Sequence, residues 1–138
     1  PIAVFLSMEK LRLTLLDSLK LQDISEKKQI KNTFSIYKKI VTQYENDKEL
    51  IPTGNLVELR FEDIEKNPLQ ELQRIYENLS LAGFGMAEPF FEAKIKSLSD
   101  YKKNKYRISQ TQLDSILKEW QFAMDKYEYD LPENVEII

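Results

Sequence analysis

The sequence predicts an α/β domain that is mostly helical in this stretch, with one clear strand. Apolar residues return at steps of three and four along four long segments, the spacing of one helix face. One short run, Leu56-Val57-Glu58-Leu59-Arg60-Phe61, is partly β-branched, follows a turn and reads as the strand. Pro, Gly and Asn clusters, not long loops, separate the segments.

Residues 1–22 are expected to form the first helix, because Val4, Met8, Leu11, Leu15 and Leu19 recur on one face. Pro1 suits a first helical position, where its missing N–H costs nothing. The stretch is apolar on more than one side and should be substantially buried. Asp23-Ile24-Ser25-Glu26 has capping-box spacing and should start a second helix, with Ile30, Phe34, Tyr37, Val41 and Tyr44 as its stripe. Residues 51–55 are turn chemistry, and the strand follows. A lone strand cannot satisfy its own backbone groups. Together with a first residue that is Pro1 and not methionine, this leads to the expectation that part of a sheet lies outside these residues.

Asn67 and Pro68 should open another helix, striped by Leu69, Leu72, Tyr76 and Leu79. Residues 89–95 read as a short helix carrying Phe90-Phe91, and 97–107 as a polar segment. Ser109 with Gln112 should cap the last long helix, striped by Leu113, Leu117, Trp120, Met124 and Tyr127. From Asp125 onward five acidic residues stand against one lysine, which reads as a loose end.

Composition excludes several kinds of chemistry. The chain has neither cysteine nor histidine, so disulfides, thiolate metal sites, cysteine nucleophiles and imidazole bases are all absent. Twenty basic and 23 acidic residues give a net charge of -3, which argues against a nucleic-acid binder. No run approaches the 18 or so apolar residues of a membrane helix. The lack of cysteine and of any signal favours the cytoplasm.

Three features stand above this background. Ser7 lies early in an apolar helix, where a hydroxyl can reach an anion or bond its own backbone. The run from Arg60 to Pro68 takes a strand into an acidic turn and then a helix; strand ends are where open α/β sheets bind ligands, while Glu62 and Asp63 can equally cap the turn beside Arg60. Residues 99–107 hold four cations, one anion and two tyrosines, which suits either a phosphorylated nucleotide or a solvated linker.

Taken in order, these features resemble the sulfotransferase family. Residues 1–7, Pro-Ile-Ala-Val-Phe-Leu-Ser, look like the end of its Arg-Asn-Pro-x5-Ser segment, with the arginine and asparagine lying before Pro1. Residues 59–64 and 67–79 are similar to its aromatic-Glu-Asp-aliphatic turn followed by a proline-started Leu-x-x-Ile-Tyr-x-x-Leu helix. Residues 101–106 look like the basic loop that closes over the nucleotide, without the Arg-Lys-Gly form of cytosolic members.

The resemblance covers 1–138 as the C-terminal, mostly helical part of a single P-loop-like sulfotransferase domain. It implies sulfuryl transfer from 3′-phosphoadenosine 5′-phosphosulfate (PAPS) to a hydroxyl or amine acceptor, with no metal. Ser7 would bond the 3′-phosphate, Lys102, Lys103 and Lys105 would neutralise it, and Asn104 would bond it or its ribose. Phe61, where the family often has tyrosine, would pack near the adenine. The phosphosulfate loop and the usual base belong to the family's N-terminal half, so no residue here is assigned as a catalytic base and the chain alone is expected to be inactive. The rival reading is a helical interaction module or inactive remnant, in which Phe34–Tyr37–Tyr44 and Phe90–Phe91 could bind a partner helix, though such stripes are more often core or a subunit contact, as in a homodimer.

Overall fold

In a computed structural model that describes residues 1–98 and 102–138, with backbone alone at 16 and 17, the first apolar segment forms helix α1, Ile2–Leu11. A wider π-type turn, Arg12–Leu16, and a short α2, Asp17–Leu19, follow it. The face that turns inward is Ile2, Phe5 and Leu6, whereas Val4, Met8, Leu11, Leu15 and Leu19 all remain exposed. This corrects the expected stripe. A helix apolar on several sides does not fix its buried face by periodicity, and the wide turn breaks the 3.6-residue phase before Leu15 and Leu19.

Helix α3, Glu26–Asp47, starts after the backbone oxygen of Ser25 accepts from the amides of Lys28 and Gln29. The Asp23 carboxylate pairs instead with Lys20 Nζ at 2.9 Å. A 3-10 turn, Lys48–Leu50, ends this segment. Then come α4, Phe61–Lys66, α5, Pro68–Asn78, and α6, Phe84–Ser97. Strand β1, Tyr106–Ile108, leads into α7, Gln110–Lys126, and strand β2, Val135–Ile137, comes last.

By internal packing the chain divides into two units, 1–44 with 103–138, and 45–102. The core of the first is built on Trp120 of α7, fully buried. The Trp120 ring meets Tyr37 at 4.0 Å, Phe34 edge-on at 5.4 Å and Phe5 at 5.8 Å, and its Nε1 donates to the backbone oxygen of Phe34 at 3.2 Å. Phe34 and Tyr37 thus pack half-buried against this core, the more usual role of such a stripe. The capping box foreseen for α7 is present: Ser109 Oγ accepts from the Gln112 amide, and the Gln112 side chain accepts from the Ser109 amide.

The strands correct two expectations. The acidic tail is not loose, because β2 pairs in parallel with β1 in the register Tyr106↔Val135, Arg107↔Glu136, Ile108↔Ile137. Val135 and Ile108 are buried, while Arg107 and Glu136 point outward and pair at 3.0 Å. Apolar–polar alternation thus outweighs the acidic composition. Helix α7 is the crossover that two parallel neighbours require.

In the second unit, residues 56–60 carry no ladder among the described residues, so the expected strand is not formed there. Side chains satisfy part of that backbone: Arg74 Nη2 donates to the Glu58 carbonyl at 3.1 Å. Asn67 precedes α5 as expected but makes no side-chain cap. Helix α6 begins five residues before the expected start at Pro89 and contains that proline; Gly83 opens it at φ 87°, a conformation other residues rarely adopt. Tyr76, Phe84 and Phe91 pack ring to ring, leaving Phe90 exposed. Among the described residues no helix is long and apolar enough to cross a membrane.

Candidate functional site

Ser7 lies in the second turn of α1 and is exposed. That position is past the free amides of the first turn, so what it offers is its hydroxyl. Other helical hydroxyls fold back onto their own backbone: Thr14 onto the Lys10 carbonyl at 2.8 Å, Ser115 onto Thr111 at 2.8 Å and Thr33 onto Gln29 at 3.2 Å. Ser7 Oγ has no hydrogen-bond partner among the described residues. Its hydroxyl is left for a ligand or for water.

Lys10 lies three residues on, on the same side of α1 as Ser7. Its Nζ donates to Asn104 Oδ1 at 2.9 Å, joining α1 to the basic loop across 94 residues of sequence. Asn104 is held from the other side too: its backbone oxygen accepts from Asn134 Nδ2 at 2.7 Å, just before β2. The partner of Lys10 is an uncharged amide, so this contact leaves its positive charge uncancelled.

Lys103 and Lys105 flank Asn104 and are both exposed. Arg107, one residue into β1, is balanced by Glu136. The first unit therefore joins Lys10 to Asn104, with Ser7 one turn before Lys10 on α1 and two more cations beside Asn104 in the chain. Lys10 carried no signal in the sequence beyond its i, i+3 spacing from Ser7.

The remaining expected residues belong to the second unit. Lys102 is exposed. Phe61 is 62% exposed and opens α4. Glu62 and Asp63 fill the first turn of that helix, where carboxylates suit the positive end of its dipole. The expected strand end is thus a helix start. Arg60, in extended conformation, accepts from the amides of Asp63 and Ile64 through its backbone oxygen. Ser99, Asp100 and Tyr101, at the start of the expected basic loop, lie outside the described residues.

Among the described residues no group of three carboxylates could hold a metal ion. Burial, and then Tyr129, push the Tyr37 hydroxyl above its ordinary value of 10, so it stays protonated near neutrality.

No protein-family model matches the chain, and no solved structure matches it. Two curated proteins do: the omega-hydroxy-beta-dihydromenaquinone-9 sulfotransferases Stf3 of Mycobacterium bovis and Mycobacterium tuberculosis. Each is 29% identical over 96 residues, which is 70% of this chain and 25% of the relative. The chain spans about a quarter of the length of these relatives, and what it is similar to is a sulfotransferase.

Proposed function

We propose that this chain is part of a PAPS-dependent sulfotransferase and forms the 3′-phosphate side of its nucleotide site. The observation that carries the reading is the 2.9 Å bond from Lys10 to Asn104, which joins the serine-bearing helix to the basic loop. The similarity to a sulfotransferase supports the reaction class. The donor supplies the sulfuryl group. This chain's residues bind and orient the nucleotide, as positioning and positive charge dominate the related chemistry of phosphoryl transfer.

In this reading the Ser7 hydroxyl bonds the 3′-phosphate, and Lys10, Lys103 and Lys105 neutralise it. Asn104 bonds the phosphate or ribose while holding Lys10. Lys102 and Phe61, which the resemblance also assigns to the nucleotide, belong to the second unit and carry no part of this reading. The acceptor is a hydroxyl, the group that the relatives' name carries. A P-loop-like fold, with this chain as its C-terminal portion, belongs to the same proposal.

The test is isothermal titration calorimetry with 3′-phosphoadenosine 5′-phosphate, and with adenosine 5′-phosphate as the control lacking the 3′ group. A hydrogen bond to a charged group is worth roughly 1.5–3 kcal/mol. Ser7→Ala should therefore weaken the 3′-phosphorylated nucleotide about ten- to a hundredfold and leave the control unchanged. Replacing Lys103 and Lys105 by alanine should weaken it too, with a flatter salt dependence. Equal loss for both nucleotides, or no loss for either, would overturn the assignment.

A further inference from the structure

We infer that Asn134 is a positioning residue for the basic loop, a role that rests on the nucleotide reading above. It grips the loop twice. Its side-chain Nδ2 donates to the Asn104 backbone oxygen at 2.7 Å, and its own backbone oxygen accepts from the Tyr106 amide at 2.9 Å. Lys105 is the residue between these two anchors.

The ladder explains why a side chain is needed there. Strands β1 and β2 run parallel with Tyr106 opposite Val135, and the Tyr106–Asn134 bond is the rung that opens the ladder. Orientation repeats every second residue along an extended chain, so one rung earlier the acceptor in line is the Asn104 carbonyl. The backbone that would meet it has already turned away. The Val135 amide donates to the Pro132 carbonyl at 3.0 Å and closes a turn over 132–135. The Asn134 carboxamide takes that rung instead, because a side-chain amide carries the same kind of donor as a backbone N–H.

The grip bears on the anion site through two residues. Lys105 is exposed and makes no ion pair among the described residues. With both its neighbours held, its backbone cannot swing, so less ordering is left to be done when an anion binds. Asn104 is held by the same bond, and its side chain accepts from Lys10 Nζ at 2.9 Å. Asn134 therefore acts through Asn104 and Lys105 and needs no contact of its own with the nucleotide.

Asn134→Leu keeps the size of the side chain and removes the donor, and Asn134→Gln keeps the donor on a longer stem. Without nucleotide, hydrogen exchange at the Tyr106 amide should quicken about three- to tenfold in Asn134→Leu, the scale of one neutral hydrogen bond. Exchange at the Trp120 indole N–H, bonded to the Phe34 carbonyl inside the core, should not change. By calorimetry, affinity for 3′-phosphoadenosine 5′-phosphate should fall by about three- to tenfold, with adenosine 5′-phosphate unaffected and part of the loss restored in Asn134→Gln. The double variant Lys105→Ala/Asn134→Leu should lose less than the product of the two single losses.

Unchanged exchange at Tyr106 would overturn the grip itself. Equal acceleration at Tyr106 and Trp120, unchanged nucleotide affinity in Asn134→Leu, or losses that multiply in the double variant would make Asn134 an ordinary fold contact and overturn the positioning role. If Tyr106 responds as expected while the unsubstituted chain does not distinguish the two nucleotides, the nucleotide reading fails and the positioning role falls with it, but the grip on the loop stands.

Discussion

Lys10→Met isolates the contribution of the cation that ties α1 to the basic loop. Methionine keeps an unbranched apolar stem and removes the ammonium. The bond from Lys10 Nζ to Asn104 Oδ1 is exposed, so its loss should cost under about 1 kcal/mol of stability. The expected effect on the nucleotide is larger. A unit charge about 4 Å from a phosphate is worth roughly 1 kcal/mol in bulk water and about 4 at a surface-like dielectric. A charge-assisted hydrogen bond falls between, at about 1.5–3 kcal/mol.

Affinity for 3′-phosphoadenosine 5′-phosphate should therefore drop about ten- to a hundredfold while the urea midpoint barely moves. Asn104→Ala is the companion variant. It keeps the charge and frees it, so its loss should be smaller than that of Lys10→Met. Calorimetry at two salt concentrations, with urea unfolding followed by circular dichroism, reads both quantities. Unchanged nucleotide affinity in Lys10→Met, or a stability loss as large as the affinity loss, would rule out this role for Lys10.

Two further outcomes concern the scaffold. Trp120→Ala should destabilise the first unit by about 3–5 kcal/mol, since Trp120 is fully buried among three aromatic rings, and urea unfolding measures it. The raised pKa of Tyr37 has a defined sign: above pH 10 the unfolded chain releases that proton while the folded one keeps it. Tyr37 thus contributes a loss of stability as pH rises through and beyond 10. Thermal melts across that range should show a shallower decline in Tyr37→Phe, and parallel curves would rule the effect out.

Features set by neighbours in sequence were legible, and those set by distant pairing were not. The Ser109–Gln112 capping box and the start of α5 at Pro68 depend on residues within one turn, and both appear where the sequence places them. The run at 56–61 has strand propensity but finds no ladder, and ladders depend on a second segment that propensity does not describe. Strand β2 was hidden by its acidic surroundings; Val135, Glu136 and Ile137 alternate apolar and polar in sequence, yet of the three Val135 alone is buried. The site divides in the same way. Ser7 and Asn104 could be named from motif position, whereas the bond that joins α1 to Asn104 comes from Lys10, a helix-surface lysine that sequence cannot tell from its neighbours.

In the proposed function α1 and the basic loop form one anion site. Its most direct test is a two-dimensional amide spectrum of the isotope-labelled chain, titrated with 3′-phosphoadenosine 5′-phosphate and separately with adenosine 5′-phosphate. The first nucleotide is expected to shift the amides of Ser7, Lys10, Asn104 and Lys105 together, with one shared affinity, and the second to leave them in place. Shifts confined to the loop, shifts in α1 and the loop with different affinities, or the same pattern from both nucleotides would contradict it.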